Sequence, residues 1–388
     1  KYHSLRDILS TMNPADIAAV FDELPESKLP LLFRLLPKEL AAETFVEMGT
    51  DAQALLIRGF SDSELKEVID ELYVDDAVDI VEEMPANVVQ RILTQADPEM
   101  RKQINEILRY PEDSAGSIMT TEYVSLRPNM TVGEAILRIR RTGIDKETIY
   151  TCYVTKGHKL IGLVSVKDLL LCEDDNATIE SIMTDHVITV NTLDDQEQVA
   201  QMFSKYDFLA LPVVDTESRL VGIVTFDDAM DVMQDEATED MEKMAAMLPS
   251  EHPYLRSSPF EIWKNRIPWL MLLMISATLT GLVITSFEDA LGVLPCLTAF
   301  IPMLMDTGGN SGSQACVTVI RGISLDEIEF RDIFKVVWKE IRVAVLCGIC
   351  LAIACFAKVM LVDHLLLKSE SVNAWVALVV SLSMAVTV

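Results

Sequence analysis

The sequence has few of the residues from which metal-dependent and nucleophilic enzymes build their active sites. Its 388 residues include five histidines and seven cysteines. Neither set shows the spacing of zinc ligands, and the cysteines form no convincing disulfide pattern. A glycine-rich phosphate loop and a nucleophile–base set are also missing. These absences argue against an enzyme and leave the cysteines as reduced thiols of a cytosolic or membrane-embedded chain.

Positive charge is scarce as well, and the charge that is present is distributed unevenly. There are 32 Lys and Arg against 60 Asp and Glu, and the first 260 residues carry −26 of the net −28. Such a surface repels nucleic acid and anionic lipid and attracts cations. An acidic surface often serves only solubility, but here it adjoins an apolar region, which favours a role with cations.

Residues 1–112 predict an all-α superhelical domain. Short amphipathic segments recur with similar phrasing, as in NPADIAAVFDELP from Asn13 and DPEMRKQINEILRYP from Asp97. The spacing from Pro14 to Pro37 is 23 residues, and Asp75 to Pro98 is 23 again. Proline or aspartate that follows a polar residue suits the first turn of a helix. The pattern is typical of short helices stacked as a solenoid.

The next two segments, 113–177 and 178–235, repeat one another. Each contains SIMT near its start, at 117–120 and 181–184, and Met119 and Met183 are 64 residues apart. Each predicts a strand, a helix, two strands and a helix, with short β-branched runs such as LIGLVSV and LVGIVTF. The repeat resembles a tandem pair of CBS domains, an α/β module. In that family the hydroxyl and carboxylate of phrases such as GLVSVKD (162–168) hold an adenosine ribose, although many pairs act only in dimerisation.

Residues 236–262 predict an acidic connecting helix with a break near Pro249 or Pro253, and residues 263–388 predict a helical transmembrane domain. Expected spans are Ile267–Phe287, Leu291–Ile320, Val343–Val362 and a further one from Trp375. The second of these is expected to be interrupted by Pro295 and Pro302. We expect the sequence, which begins without a methionine and ends inside an apolar run, to be part of a longer protein without a signal peptide.

Basic residues predict the orientation of these spans. Arg321, Arg331, Lys335, Lys339 and Arg342 all follow the second span, whereas the neighbouring loops carry a single lysine between them. Because cationic loops remain on the inner side, the domains before the first span are predicted to be cytosolic. The segment LDEIEFRDIFKVVWKEIR is amphipathic and is predicted to lie on the membrane surface.

The phrase PMLMDTGGNSGSQ at 302–314 is the most unusual part of the apolar region. If it is helical, Asp306, Asn310 and Gln314 share one face. Polar groups at membrane depth face a bundle interior or a water-filled path. The segment is therefore either a polar seam between helices or the wall of an ion pathway, and we favour the pathway.

Carboxylates also cluster at close spacing in the connecting region. Asp228, Asp231 and Asp235 follow one helical face, and Glu236, Glu239 and Asp240 lie close together on another. Like charges at such spacings destabilise an isolated helix, and a hard divalent cation held by oxygen ligands would offset the repulsion. Asp75, Asp76 and Asp79, or Asp194, Asp195 and Glu197, are candidates to add ligands across an interface.

The order of these parts resembles the MgtE family of magnesium transporters or channels along essentially the whole chain. The resemblance implies a homodimeric, multi-pass protein of the cell membrane that takes up Mg²⁺, closed when cytosolic Mg²⁺ bridges its acidic domains. The implied regulatory metal ligands are Asp75, Asp79, Asp195, Glu197, Asp207, Asp228, Asp231, Glu236, Glu239 and Asp240. The matching pore residues are Pro302, Gly308, Gly309, Asn310 and Gln314.

Some details depart from that family. Asp306, which we include in the predicted pore, stands where some members have glycine, and Ser313 stands where some have asparagine. ATP is an implied ligand of the CBS pair for some members, by position at Lys167, Asp168, Phe208 and Pro212. The alternative hypothesis is a transporter of another ion whose CBS pair senses adenine nucleotides, with no gating by Mg²⁺.

Overall fold

The computed structural model describes residues 2–249, 254, 257–325, 327–366 and 373–388. The chain forms two compact units, Lys1–Gln234 and Asp235–Val388. Pro253, one of the two positions predicted to break the connecting helix, lies outside the described residues.

Short helices form the first part of the first unit, as the 23-residue repeat predicts. Pro14 and Pro98 open their helices, behind the N-caps Asn13 and Asp97. Phe33 lies at the centre of the core, with its ring centroid 5.4 to 6.5 Å from those of three other phenylalanines. The helices are α1 (Tyr2–Leu9), α2 (Pro14–Asp22), α3 (Leu29–Phe33), α4 (Lys38–Val46), α5 (Thr50–Gly59), α6 (Asp62–Ile69), α7 (Val74–Glu83), α8 (Ala86–Gln95) and α9 (Pro98–Ile107).

Two small α/β repeats follow, and each has the predicted order of strand, helix, two strands and helix. In each, the first strand pairs parallel with the second, which pairs antiparallel with the third. The first repeat contains β1 (Val124–Leu126), α10 (Val132–Thr142), β2 (Thr151–Lys156), β3 (Lys159–Ser165) and α11 (Val166–Leu171). The second contains α12 (Ile179–Ile182), β4 (Val190–Asn191), α13 (Gln196–Tyr206), β5 (Ala210–Val214), β6 (Leu220–Thr225) and α14 (Phe226–Met244).

The repeats exchange their SIMT segments, which explains the 64-residue spacing. The backbone of Thr120 bridges Ile223 on β6, and the backbone of Thr184 bridges Leu163 on β3. A Cβ on Gly222 would lie 2.6 Å from Met119 Sδ and 2.8 Å from the Thr120 carbonyl oxygen. Glycine is therefore required where the SIMT segment of one repeat crosses the last strand of the other.

The second unit is helical. It contains α15 (Pro259–Ser286), α16 (Glu288–Val293), α17 (Ile301–Ser324), α18 (Ile333–Lys358) and α19 (Ala374–Thr387), with 3₁₀ turns at Pro295–Phe300 and Phe330–Asp332 and a π-helical end at Val359–Leu366. The predicted interruption of the Leu291–Ile320 span at Pro295 is confirmed, because α16 ends at Val293 and Pro295 opens a separate 3₁₀ turn. The predicted interruption at Pro302 is wrong. Pro302 instead occupies the first turn of α17, where proline is tolerated.

Two helices in the described part are long and apolar enough to cross a membrane: Pro259–Ser286, and Phe330–His364 with its 3₁₀ and π-helical ends. The apolar α19 is shorter. It packs closely through small residues, because a Cβ on Gly348 of α18 would lie 2.8 Å from the Ala385 carbonyl oxygen. None of the described side chains of α15 is buried. A helix that is apolar on all sides and unburied is suited to lipid or to further protein segments.

Candidate functional site

Carboxylates from two helices and two loops meet in the first unit. Helix α7 supplies Asp75, Asp76 and Asp79. Val74, Ala77 and Val78, which are three and four positions apart, are buried in the core and fix the rotation of the helix. The first turn of α14 supplies Asp227 and Asp228. Glu122 and Glu147 come from loops of the first repeat, where the Glu147 N–H donates to the Glu122 carbonyl oxygen at 3.0 Å. We call these seven residues the acidic cluster.

Burial and mutual repulsion raise the pKa of five members of the cluster. Burial, and then the charge of Asp76, raise the pKa of Asp75 from 3.8 to about 7. Burial, and then Asp75, raise that of Asp228 to about 7, although its carboxylate accepts a hydrogen bond of 2.6 Å from Thr225 Oγ1. For Asp76, burial and the charge of Asp228 raise the pKa to about 7. The two segments therefore act on each other electrostatically.

The remaining shifts follow the same causes. Burial and the charge of Asp75 raise the pKa of Glu147 to about 9, and Glu147 Oε2 is buried without a hydrogen-bond partner among the described residues. Loss of hydration and Asp228 raise the pKa of Asp79 to about 8. The Asp79 side chain nevertheless remains accessible to solvent. Water therefore screens its charge more than that of Asp75, which is only 7% exposed.

The cluster is thus a concentration of negative charge in which the largest influences on every shifted group are burial and other carboxylates. No group of three or more His, Cys, Asp or Glu among the described residues is placed to hold a bare metal ion. The arrangement can instead attract a cation that retains part of its hydration shell. Mg²⁺ behaves in this way, since it dehydrates reluctantly and binds through one or two carboxylates and several waters.

The structure places other predicted ligands away from this cluster. Asp195 is exposed and caps α13 by accepting from the Glu197 N–H at 2.9 Å. Asp207 ends the same helix in a left-handed conformation, with φ of 54°. The backbone of Asp195 bridges Ser114, beside Asp113. Asp195 and Asp207 therefore lie at opposite ends of α13, and neither is among the seven residues of the acidic cluster.

The acids farther along α14 include Asp231 in the first unit and Glu236, Glu239 and Asp240 in the second. Asp231 is exposed, and Glu236 and Glu239 are half-buried. Glu239 forms an ion pair of 2.6 Å with Lys243. Asp240 accepts a hydrogen bond from Ser324 Oγ, at the last residue of α17. One helix therefore carries Asp228 of the acidic cluster at its start and a contact with α17 near its end.

The polar phrase lies in the first four turns of α17, as a continuous helix. Pro302, Asp306, Gly309, Asn310 and Gln314 share one exposed face, as their spacing predicts. Gly308 does not belong to that face. A Cβ there would meet Thr387 Cγ2 of α19 at 2.6 Å, whereas a Cβ on Gly309 would meet nothing within 4 Å. Gly308 thus serves close helix packing, and Gly309 keeps the polar face open.

A cavity of about 610 Å³ is lined mainly by the first repeat, including Lys167, Ser165 and Tyr150, and also by Leu209 of the second repeat. Ser165 Oγ donates to Asp168 at 2.5 Å within a capping box. Of the four predicted nucleotide residues, only Lys167 lines the cavity. Phe208 packs against Tyr206, with ring centroids 5.4 Å apart. Pro212 is buried on β5.

The two repeats use the same motif differently. Ser165 and Asp168 in the first correspond to Thr225 and Asp228 in the second, and both pairs form the same local hydrogen bond. Ser165 borders the 610 Å³ cavity, whereas Asp228 faces the carboxylates of α7. The predicted pairing of Asp228 with α7 therefore has a structural basis.

Sequence reasoning left Glu122 and Glu147 out of the cluster. Glu122 follows the SIMT segment that crosses β6, so the exchange of segments between repeats brings it to the start of α14. The repeat was visible in the sequence, but the exchange was not. Glu147 lies in the loop before β2, and its position depends on the hydrogen bond to Glu122.

Comparison with known proteins identifies each part of the chain. Residues 12–113 match the MgtE intracellular N domain, and residues 115–173 and 179–235 each match a CBS domain. Residues 301–388 match a family described as divalent cation transporter. These matches define a divalent cation transporter that also carries an intracellular N domain and a CBS pair, and not an enzyme.

The chain belongs to the MgtE family of magnesium transporters. It is 38% identical to the magnesium transporter MgtE of Thermus thermophilus over 370 residues, which cover 94% of this chain and 82% of that protein. It is 31% identical to MgtE of Bacillus subtilis over 349 residues, covering 90% and 77%.

Solved structures of two relatives each resemble about three fifths of this chain. One is the cytosolic domain of the Mg²⁺ channel MgtE in complex with ATP, with a TM-score of 0.57, 39% identity and coverage of 60% of this chain and 95% of that one. The other is the soluble part of a magnesium transporter, with a TM-score of 0.57, 33% identity and coverage of 61% and 93%.

Proposed function

We propose that this chain conducts Mg²⁺ into the cell and that Mg²⁺ bound at the acidic cluster closes the path. The observation that carries the proposal is the meeting of carboxylates from α7, α14 and the first repeat, five of which have raised pKa values. A buried carboxylate surrounded by like charges is unfavourable. A cation that neutralises the cluster stabilises the joined segments, and its loss favours their separation.

The ion suited to this role is a partly hydrated divalent cation. The carboxylates are not arranged as a bare-ion cage, and Mg²⁺ binds well through water-separated contacts. Asp195 and Glu197, at the start of α13, and Asp207, at its end, would bind cations separately and more weakly. Asp231, Glu236, Glu239 and Asp240 would extend the negative surface along α14.

Helix α14 would transmit the effect of cation binding from the acidic cluster to the ion path along α17. It begins beside β6, where Asp228 joins the cluster, and its Asp240 accepts a hydrogen bond from Ser324 at the end of α17. A helix is stiff over the 19 residues of α14, so movement at one end displaces the other. Cation binding at the cluster can in this way be read out at the inner end of α17.

The polar face of α17 would line the path itself. Asp306, Asn310 and Gln314 supply oxygen atoms along three successive turns. Amide and carboxylate oxygens can replace or contact the outer waters of a hydrated ion. Gly309 leaves space between them, as a hydrated ion requires. Gly308 contributes by allowing α19 to pack closely behind this wall.

We also propose that the chain is a homodimer in the cell membrane, with residues before the first span on the cytosolic side. The basic residues after α17 support this orientation. ATP is a candidate ligand of the first repeat, supported by the cavity beside Lys167 and Ser165 and by the ATP complex of a related cytosolic domain. Asp168, Phe208 and Pro212 would act from behind the cavity wall.

Limited proteolysis tests the proposal against nucleotide sensing without Mg²⁺ gating. Purified protein is digested with Mg²⁺ at millimolar concentration, with ATP and EDTA, or with EDTA alone. We expect Mg²⁺ by itself to protect residues 1–249, because it neutralises the cluster. Protection by ATP but not by Mg²⁺ would favour the alternative hypothesis and contradict gating by the cluster.

A further inference from the structure

The first turns of α18 carry a basic strip, which we define as Arg331, Lys335, Lys339 and Arg342. Their spacing of four, four and three residues places them on one face of the 3₁₀ turn and helix. Arg342 directly precedes an uncharged apolar run over residues 343–357. The strip therefore ends where the hydrocarbon core would begin if α18 crosses a membrane.

An aromatic face lies beside the basic strip. Phe330, Phe334 and Trp338 are 97%, 85% and 61% exposed. Each directly precedes a residue of the basic strip in the sequence. The apolar face continues through Ile341 into the apolar run. Exposed aromatic rings next to a membrane span are typical of residues at the headgroup level.

The two cations nearest the apolar run have no acidic partner among the described residues. Arg331 and Lys335 form ion pairs with Glu329 and Asp332. Neither Lys339 nor Arg342 has a carboxylate within ion-pair distance in the described part of the chain. This is notable in a protein with 60 acidic residues, most of whose surface repels anions. The basic strip is therefore a local patch of positive charge in a negatively charged chain.

We propose that the basic strip and the aromatic face bind the headgroup of an anionic phospholipid, with Lys339 and Arg342 on its phosphate and Trp338 beside its glycerol region. A guanidinium can contact two phosphate oxygens at once, and lysine adds a point charge. Charge complementarity selects an anionic lipid over a zwitterionic one. The proposal rests on α18 crossing the membrane, which is part of the proposed function, but it does not depend on Mg²⁺ gating.

Quenching of Trp338 by brominated lipids tests the proposal. The full chain is reconstituted in phosphatidylcholine vesicles containing a minor fraction of brominated phosphatidylglycerol or, at equal amount, brominated phosphatidylcholine. Subtracting the signal of Trp338→Phe isolates this residue from the other three tryptophans. We expect stronger quenching by the anionic lipid. The preference should fall about fivefold for each cation removed in Lys339→Gln and Arg342→Gln.

Two matched variants separate charge from structure. Lys339→Arg combined with Arg342→Lys keeps both charges and should keep the preference, while Glu340→Gln, on the opposite flank, should not reduce it. Equal quenching by both lipids, or a preference that survives the double glutamine variant, would overturn the proposal. Quenching by neither lipid would also overturn it, because a second copy of the chain would then cover this face. Mg²⁺ flux, measured on the same vesicles, reports separately on the proposed function.

Discussion

Asp75 is the most buried member of the acidic cluster, and its replacement by asparagine is the most informative single change. Asparagine has the same shape, and its Oδ1 can still accept from the Asp76 N–H, as Asp75 Oδ1 does at 3.1 Å. The variant therefore removes charge without opening a cavity. We expect Asp75→Asn to stabilise the Mg²⁺-free protein at pH 8 and to weaken its response to Mg²⁺.

The magnitude follows from the pKa of Asp75. It rises from 3.8 to about 7 on folding, and a shift of about three units corresponds to about 4 kcal/mol. Below pH 3.8 the carboxyl is protonated in both folded and unfolded chains, so its burial as an anion does not arise. As the pH rises from 3.8 towards 7, the unfolded chain ionises before the folded one, so the free energy of unfolding falls. Above pH 7 the folded protein holds the buried charge, and the whole loss is present.

The assay is thermal unfolding of residues 1–249, a fragment that contains the first unit and all of α14. For a domain of this size, 4 kcal/mol corresponds to a rise in melting temperature of about 10 °C. The difference between Asp75→Asn and the wild type should be present at pH 8 without Mg²⁺ and disappear towards pH 4. Added Mg²⁺ should raise the melting temperature of the wild type more than that of the variant.

A matched control is Glu71→Gln, an exposed acid in the turn between α6 and α7. It removes the same charge close by but outside the cluster and should change the melting temperature little. The reasoning is refuted if Asp75→Asn is no more stable than the wild type at pH 8 without Mg²⁺. It is also refuted if both proteins gain equally from Mg²⁺.

Three further changes test other parts of the structure. Gly222→Ala should destabilise the fragment of residues 1–249 by about 1–3 kcal/mol, because its Cβ would meet the Thr120 carbonyl oxygen at 2.8 Å. An unchanged melting temperature would contradict the exchange of SIMT segments. Gly308→Ala should lower the thermal stability of the full chain in detergent and Gly309→Ala should not, and equal effects would contradict their assignment to different faces. Ser324→Ala removes the hydrogen bond to Asp240, worth about 1 kcal/mol, and should shift the Mg²⁺ concentration for half-closure about fivefold in vesicle flux; no shift would argue against coupling through α14.

Much of the fold was predictable because it follows from local patterns. Amphipathic spacing and proline position define the helices of the first domain, and the repeated strand phrases define the two α/β units. The division of Leu291–Ile320 was harder to predict. Pro295 and Pro302 mark possible interruptions, but one opens a 3₁₀ turn and the other is accepted in a helix, and the sequence alone does not distinguish these outcomes.

The site was predictable only where its residues share one element. Asp75 and Asp79 lie one turn apart on α7, and Asp306, Asn310 and Gln314 lie four apart on α17. Glu122 and Glu147 join the cluster through the packing of one repeat on the other, which leaves no local sequence pattern. For the same reason adjacent glycines at 308 and 309 look alike in sequence but meet different surroundings.

The central claim is that Mg²⁺ at the acidic cluster closes the path, and Mg²⁺ flux through the full-length protein in vesicles tests it most directly. Flux is measured while the Mg²⁺ concentration on the cytosolic face is varied, for the wild type and for Asp228→Ala combined with Asp231→Ala. We predict that millimolar Mg²⁺ closes the wild type and that the double variant, which lacks two carboxylates and the Thr225 hydrogen bond, still conducts. Closure of the double variant at the wild-type Mg²⁺ concentration would contradict the account.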